Sequence, residues 1–174
     1  ESWIQRDASL LAGSAAERLR DEFTRGLAVP GAADFVRRLD DLSLLVRVVP
    51  ELDALKALTR TPSRPDVWRH TVVTLDTLEH VIATLVGKPS LAGPRASADV
   101  PQSAWEGLAR RLGRFAGALQ SHLSATISAD RDHQLLLKLA ALFHDVGKSR
   151  TRSVGDEGQV HFYGHASTGG RMAD

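Results

Sequence analysis

The chain has 174 residues, 43% hydrophobic and 25% charged, with 22 basic and 21 acidic side chains and a formal net charge of +1. Such a chain can bury a sizeable core in one or two domains, and its composition excludes wholesale disorder, a collagen-like architecture and a polycation. The absence of cysteine excludes a disulfide scaffold, a thiolate zinc site and a cysteine nucleophile.

No window reaches the roughly 18 uncharged apolar residues of a membrane span. Glu1-Ser2-Trp3-Ile4 lacks the basic and apolar regions of a signal peptide, so the expected location is cytoplasmic. The one methionine is Met172, and the sequence stops at Asp174 in what reads as the opening turns of a helix. The expectation is therefore an excised segment of a longer protein. Arg outnumbers Lys eighteen to four. An Arg-biased genome accounts for this first, although the planar guanidinium also suits phosphate recognition.

In chain order, Leu10-Leu11 closes a short amphipathic segment, and Ser14-Ala15-Ala16-Glu17 reads as a capping box. The helix that follows, to about Arg25, buries Leu19 and Phe23, and Val29-Pro30-Gly31 breaks it. Phe35 to Leu45 suggests a short helix and turn, and Pro50 suits the first turn of another. Arg60 to Pro65 reads as a linker. From Asp66 to about Val86, Trp68, Val72, Leu75, Ile82 and Leu85 keep a helical period. Gly87-Lys88-Pro89 ends that helix and Ser90 to Asp99 reads as a loop. Trp105, Leu108, Leu112, Phe115 and Leu119 predict a second long helix. Asp130-Arg131-Asp132 caps a third, whose body from Leu135 to Phe143 is apolar nearly all round and is expected to lie at the centre of a bundle. Gly147 is its expected C-terminal cap. Val154 and Val160 to Tyr163, flanking Gly155-Asp156-Glu157-Gly158, predict a small hairpin, the only candidate sheet.

His144-Asp145 ends that apolar helix. An imidazole and a carboxylate at the wall of a core must pair or bind a metal to offset desolvation, and both ligate divalent cations. Adjacent helical side chains point about 100° apart, so a third ligand must come from another helix. His70, near Thr74 and Thr77 on the first long helix, is the best candidate. His80, His122 and His133 are expected to be solvated and His161 exposed. From Lys138 to Arg152 there are four basic residues and one acid, so positive charge gathers just after the His-Asp pair.

His70 and the string Leu142-Phe143-His144-Asp145-Val146-Gly147-Lys148 resemble the H…HD…D signature of the HD metal-dependent phosphohydrolase superfamily. The wider context is similar to bacterial tRNA nucleotidyltransferase and poly(A) polymerase family proteins, in which a helical neck precedes an HD domain. The matching strings are Ser14 to Phe23, Leu44 to Leu55 around Val49-Pro50-Glu51-Leu52, Asp66 to Thr71, His144 to Lys148 with Thr151-Arg152, and Phe162-Tyr163-Gly164-His165.

The resemblance implies an all-α fold, with a neck at 1–62 and an HD bundle with one hairpin at 63–174. It implies hydrolysis of a phosphate ester on a nucleotide or RNA end (tRNA or another RNA 3′ end), with His144, Asp145 and Lys148 catalytic. His70, His144 and Asp145 would hold a divalent metal ion such as Mg, Mn, Ni, Fe or Zn, which would acidify water and polarise the phosphoryl oxygen. A later Asp, the fourth ligand of the signature, would fall past Asp174. Lys148, Arg152 and His165 are phosphate-binding candidates, with His165 also a candidate ligand of a second site. In the neck, Arg18, Arg25, Arg37 and Arg38 could meet an RNA backbone, although eleven basic and eleven acidic residues balance over positions 1–69. Gly13-Ser14 is followed by no paired carboxylates on a strand, so polymerase chemistry is not expected in this segment. The alternative reading is a non-catalytic RNA-binding and structural segment with a relict HD site. Oligomeric state is left open.

Overall fold

The computed structural model describes residues 2–58, 66–86, 101–128 and 131–173. The expected linker at 60–65, the Gly87-Lys88-Pro89 stop, the 90–99 loop and Asp130 lie outside the described residues. Within them the fold is all-α with two short antiparallel strand pairs.

Helix α1 (Ser2–Asp7) runs into a 3₁₀ segment (Ala8–Gly13), and α2 follows (Ala16–Ala28). The expected capping box is not formed. Ser14 is spent ending the 3₁₀ segment, its N–H bonded to the Leu11 carbonyl at 2.9 Å. Ala15 therefore falls at the cap of α2, with no side-chain bond. Helix α2 buries Phe23 and Leu27, one turn apart, while Leu19 is half-buried. Gly31, in the left-handed region at φ 90°, turns the chain into α3 (Ala32–Asp41). Two short helices complete the neck, α4 (Leu45–Val48) and α5 (Pro50–Lys56), the latter with Pro50 in its first turn.

Helix α6 (Val67–Val86) is capped by Asp66, whose carboxylate accepts the Trp68 N–H at 3.0 Å. Next come α7 (Gln102–Leu112), a 3₁₀ turn (Gly113–Phe115) and α8 (Ala116–Leu123). The expected single helix through Leu119 is thus interrupted. The break falls at Gly113, a poor helix former, and Phe115 stays exposed instead of joining a continuous buried face.

A strand pair, β1 (Thr126–Ser128) with β2 (Arg131–Asp132), corrects the expectation of a single hairpin. These strands are too short for an alternating pattern to register, and Ile127 is their only large apolar residue. Helix α9 (His133–Phe143) is capped by Asp132, which accepts the Leu135 N–H at 2.8 Å. A short α10 (Lys148–Thr151), the expected hairpin of β3 (Ser153–Val154) and β4 (Val160–His161), and α11 (His165–Ala173) follow.

Helix α9 is not buried on most sides. Leu135, Lys138 and Leu142 form its buried stripe, while Leu136 and Leu137 are 54% and 41% exposed. The expected role of Gly147 is also corrected: its φ of −66° is ordinary right-handed helix. Space is what requires glycine there. A Cβ would lie 2.1 Å from the His165 carbonyl oxygen and 2.5 Å from the Gly169 nitrogen, so α11 docks directly on the backbone after α9.

Phe23, Leu27 and Val36 of α2 and α3, Leu45, Leu52 and Leu55 of α4 and α5, Val72 and Leu75 of α6, and Leu135 and Leu142 of α9 form one cluster, so the core continues across position 62. A buried ionic tie runs through it. Glu79 accepts the N–H groups of Gly31, Ala32 and Ala33 at 3.0–3.1 Å, closing the start of α3. Lys138 reaches Glu79 at 3.0 Å and donates to the Leu27 and Val29 carbonyls at 2.9 and 2.8 Å, closing the end of α2. One turn earlier on α6, the buried Asp76 pairs with Arg37 at 3.1 Å.

Removing one partner of a buried pair strands the other charge. Lys138→Met should therefore lower stability by about 3–5 kcal/mol. On the same helix, Leu142→Ala should cost about 2–5 kcal/mol, and the exposed Leu136→Ala within about 0.5 kcal/mol of nothing. Denaturant unfolding of the three variants checks this ranking; equal losses at positions 136 and 142 would contradict it.

Candidate metal centre

Helix α9 ends at Phe143, and the turn after it presents His144 and Asp145. The next residue, Val146, is fully buried and anchors this turn in the protein. Asp145 is itself buried, and its carboxylate is the focus of the site.

The Oδ2 oxygen of Asp145 lies 3.1 Å from His144 Nε2, 3.9 Å from His70 Nε2 and 2.6 Å from Lys148 Nζ. Oδ1 faces His165 Nε2 at 3.8 Å. The His70 and His144 rings meet edge-on with centroids 5.4 Å apart. Two imidazoles are oriented by backbone carbonyls: His144 Nδ1 is 2.7 Å from the Ala141 oxygen, and His165 Nδ1 is 2.8 Å from the Phe162 oxygen. With Nδ1 donating to those carbonyls, Nε2 is in each case the nitrogen that faces Asp145, a ligand atom when neutral and a donor to the carboxylate when protonated.

One donor atom from each of His70, His144 and Asp145 lies within 4.8 Å of the others. Two donors on one ion at bond lengths near 2 Å are up to about 4 Å apart. The carboxylate-to-imidazole separations fall inside that limit, and His70, half exposed, has room to adjust. The donor set of two imidazoles and a carboxylate therefore fits a divalent cation, and HD domains bind such ions.

The charges are polarised. Burial pushes the Asp145 carboxyl up, but the bonds from His144 and Lys148 outweigh it and hold the group well below the usual carboxylate range. The bond to Asp145 raises the His144 imidazole above its ordinary value, against the opposing effect of burial.

Of the remaining candidates, Lys148 is turned onto Asp145, with its ammonium also 5.7 Å from the centre of the Phe162 ring. Arg152 is exposed after α10. Several expectations of simple solvation need correcting. His80 is half-buried with its ring 4.1 Å from Trp105, and His133 is half-buried, stacked on His122 and bonded to the Ala125 carbonyl. Each lies beside an aromatic ring that covers it. His161 is half-buried, with the Tyr163 ring on one face.

In the neck, Arg25 pairs with Glu22 and Arg37 with Asp34 and Asp76, so these two are engaged within the chain. Glu79 and Lys138, which fix the helices carrying the site, were not singled out by the sequence. Their signal was placement: Glu79 falls on the stripe of Val72, Leu75 and Ile82, and Lys138 is the one charge inside an apolar run.

Residues 1–56 match the family described as "Probable RNA and SrmB- binding site of polymerase A", and residues 106–174 match the HD domain. These matches correspond to an HD domain preceded by the helical neck of a poly(A) polymerase-like protein. The HD match includes His144 and Asp145; His70 lies between the two matched spans and joins the site through the fold. No curated protein and no solved structure matches the chain.

The raised His144 pKa fixes a sign for the cation-free protein. Its stabilisation is complete below the unfolded value of about 6.5 and is lost as pH rises through the higher folded value. The lowered Asp145 pKa acts only in acid: its contribution is present above the unfolded value of 3.8 and is lost as pH falls through the folded value. The stability gap between wild type and His144→Gln should therefore be larger near pH 6 than near pH 9. Denaturant unfolding in chelator at both pH values checks this; a gap that grows with pH would contradict it.

Proposed function

We propose that this chain is the neck, 1–62, and HD domain, 63–174, of a metal-dependent phosphohydrolase acting on a phosphate ester of a nucleotide or an RNA end. The observation that carries the proposal is the convergence of His70 and His144 Nε2 on one oxygen of the buried Asp145. His70, His144 and Asp145 hold the cation, and their two nitrogen donors favour Mn, Fe, Ni or Zn over Mg. When bound, the ion supplies Lewis acidity toward a phosphoryl oxygen and toward water at neutral pH.

The chain's own residues do the rest. Ala141 and Phe162 fix the tautomers of His144 and His165 through their carbonyls. Lys148 occupies the same Asp145 oxygen that His70 and His144 face, so it competes with a cation for that oxygen. Its ammonium, beside the same carboxylate, would neutralise charge developing on a phosphate bound there. Arg152 and His165 are further phosphate-side groups. The neck match supports RNA as partner. Arg18 is exposed there, while Arg25 and Arg37 already have acidic partners. Among the described residues no helix is long and apolar enough to cross a membrane.

One observation favours the non-catalytic alternative: the 2.6 Å bond from Lys148 satisfies Asp145 without a cation. Turnover separates the two. Bis(p-nitrophenyl) phosphate should be hydrolysed after addition of Mn²⁺ or Ni²⁺, and not in chelator. His70→Ala and Asp145→Ala should fall to background with the helical circular dichroism spectrum intact. RNA binding with no hydrolysis under any metal would establish the alternative, and wild-type turnover by Asp145→Ala would exclude this mechanism.

A further inference from the structure

The end of the second hairpin away from its turn, where β4 runs on toward α11, carries an aromatic stack that none of the proposed chemistry uses. Tyr163, the only tyrosine in the chain, is 76% exposed. Its ring lies nearly parallel to that of His161, at 14°, with centroids 5.0 Å apart. His161 is backed in turn by Gly155, where an added Cβ would come within 3.4 Å of its Nε2. The strand pairing Ser153↔His161 and Val154↔Val160 fixes the base of this stack, and Phe162, between the two stacked rings in sequence, packs against the core. Tyr163 is therefore a supported ring whose other face is open to water.

Its position relates it to the metal centre. Gly164, at φ 73°, turns the chain directly after Tyr163. The next residue, His165, places Nε2 3.8 Å from Asp145 Oδ1. The stack is thus carried by the same turn that delivers a side chain to the metal centre.

We propose that Tyr163, supported by His161, is a stacking wall for the nucleobase of a substrate whose phosphate lies at the His70–His144–Asp145 cluster. The proposal rests on the phosphohydrolase reading and names the side chain that would hold the base of its substrate. An aromatic face stacks on any base, because every base has a π-face, so the wall selects nucleotides over sugar phosphates without selecting a sequence. The tyrosine hydroxyl has no part in it.

A single tyrosine makes the test direct. The full chain labelled with 3-fluorotyrosine gives one fluorine resonance, read in Zn²⁺-containing buffer during titration with AMP, ribose 5-phosphate or the trinucleotide ApApA. The expected result is a saturable shift with AMP and none with ribose 5-phosphate. A shift with ApApA alone would also support the wall and assign it to an RNA end. No shift with either base-containing ligand, or an equal shift with ribose 5-phosphate, would overturn the proposal. Tyr163→Ala should weaken AMP binding at least about fivefold with ribose 5-phosphate binding unchanged, and Tyr163→Phe should bind AMP like wild type. The fluorine shift does not depend on turnover. Base-dependent shifts without hydrolysis of any ester would support the wall and count against the hydrolase reading alone.

Discussion

The carboxylate of Glu79 and the ammonium of Lys138 are both taken almost wholly out of water, and an unpaired charge there would be too costly to keep. Each is satisfied several times over. Glu79 faces three backbone N–H groups at the start of α3, Lys138 faces two carbonyls at the end of α2, and the two meet at 3.0 Å. The tie thus joins the α2–α3 corner of the neck to α6 and α9 of the bundle. It also fixes the register of α6 against α9, which carry His70 and lead into His144. A slip of one helical turn, about 5.4 Å, would break the tie and carry His70 away from Asp145.

Asp145 imposes the second constraint. Its two oxygens are surrounded by three imidazoles and an ammonium, so a buried anion is held in a nest of potential cations. Such a carboxylate stays charged, which suits a cation ligand, and in the cation-free state Lys148 shields it. The elements supporting it do so from different directions. Val146 anchors the turn, Gly147 lets α11 approach, and α11 brings His165 to the oxygen that His144 does not face.

Much of this was legible in the sequence because it follows from short-range rules. Apolar periodicity marked α2 and α6 and a nearly continuous apolar run marked α9; Pro50, Asp66 and Asp132 marked helix starts; and paired valines around a Gly-Asp-Glu-Gly turn marked the second hairpin. The adjacent His144 and Asp145, at the end of an apolar run, marked the site, and the need for a ligand from another helix pointed to His70. The errors arose where a residue's role depends on a distant partner. Lys138 lay unremarked in a run read as apolar nearly all round, because nothing local shows that Glu79 and two carbonyls of α2 await it. Gly147 resembled a helix cap because the close approach of Gly169 is a tertiary fact. Ser14 had the right spacing for a capping box, but the preceding 3₁₀ segment had already taken it.

Whether His70 of α6 and the His144–Asp145 turn after α9 share one divalent ion is read from paramagnetic broadening. The chain has seven histidines whose imidazole resonances can be followed as Mn²⁺ is added. The account predicts that the His70 and His144 resonances broaden together at substoichiometric Mn²⁺, before those of His80, His122 and His133. Broadening of His144 while His70 stays sharp, or uniform broadening of all seven, would contradict it.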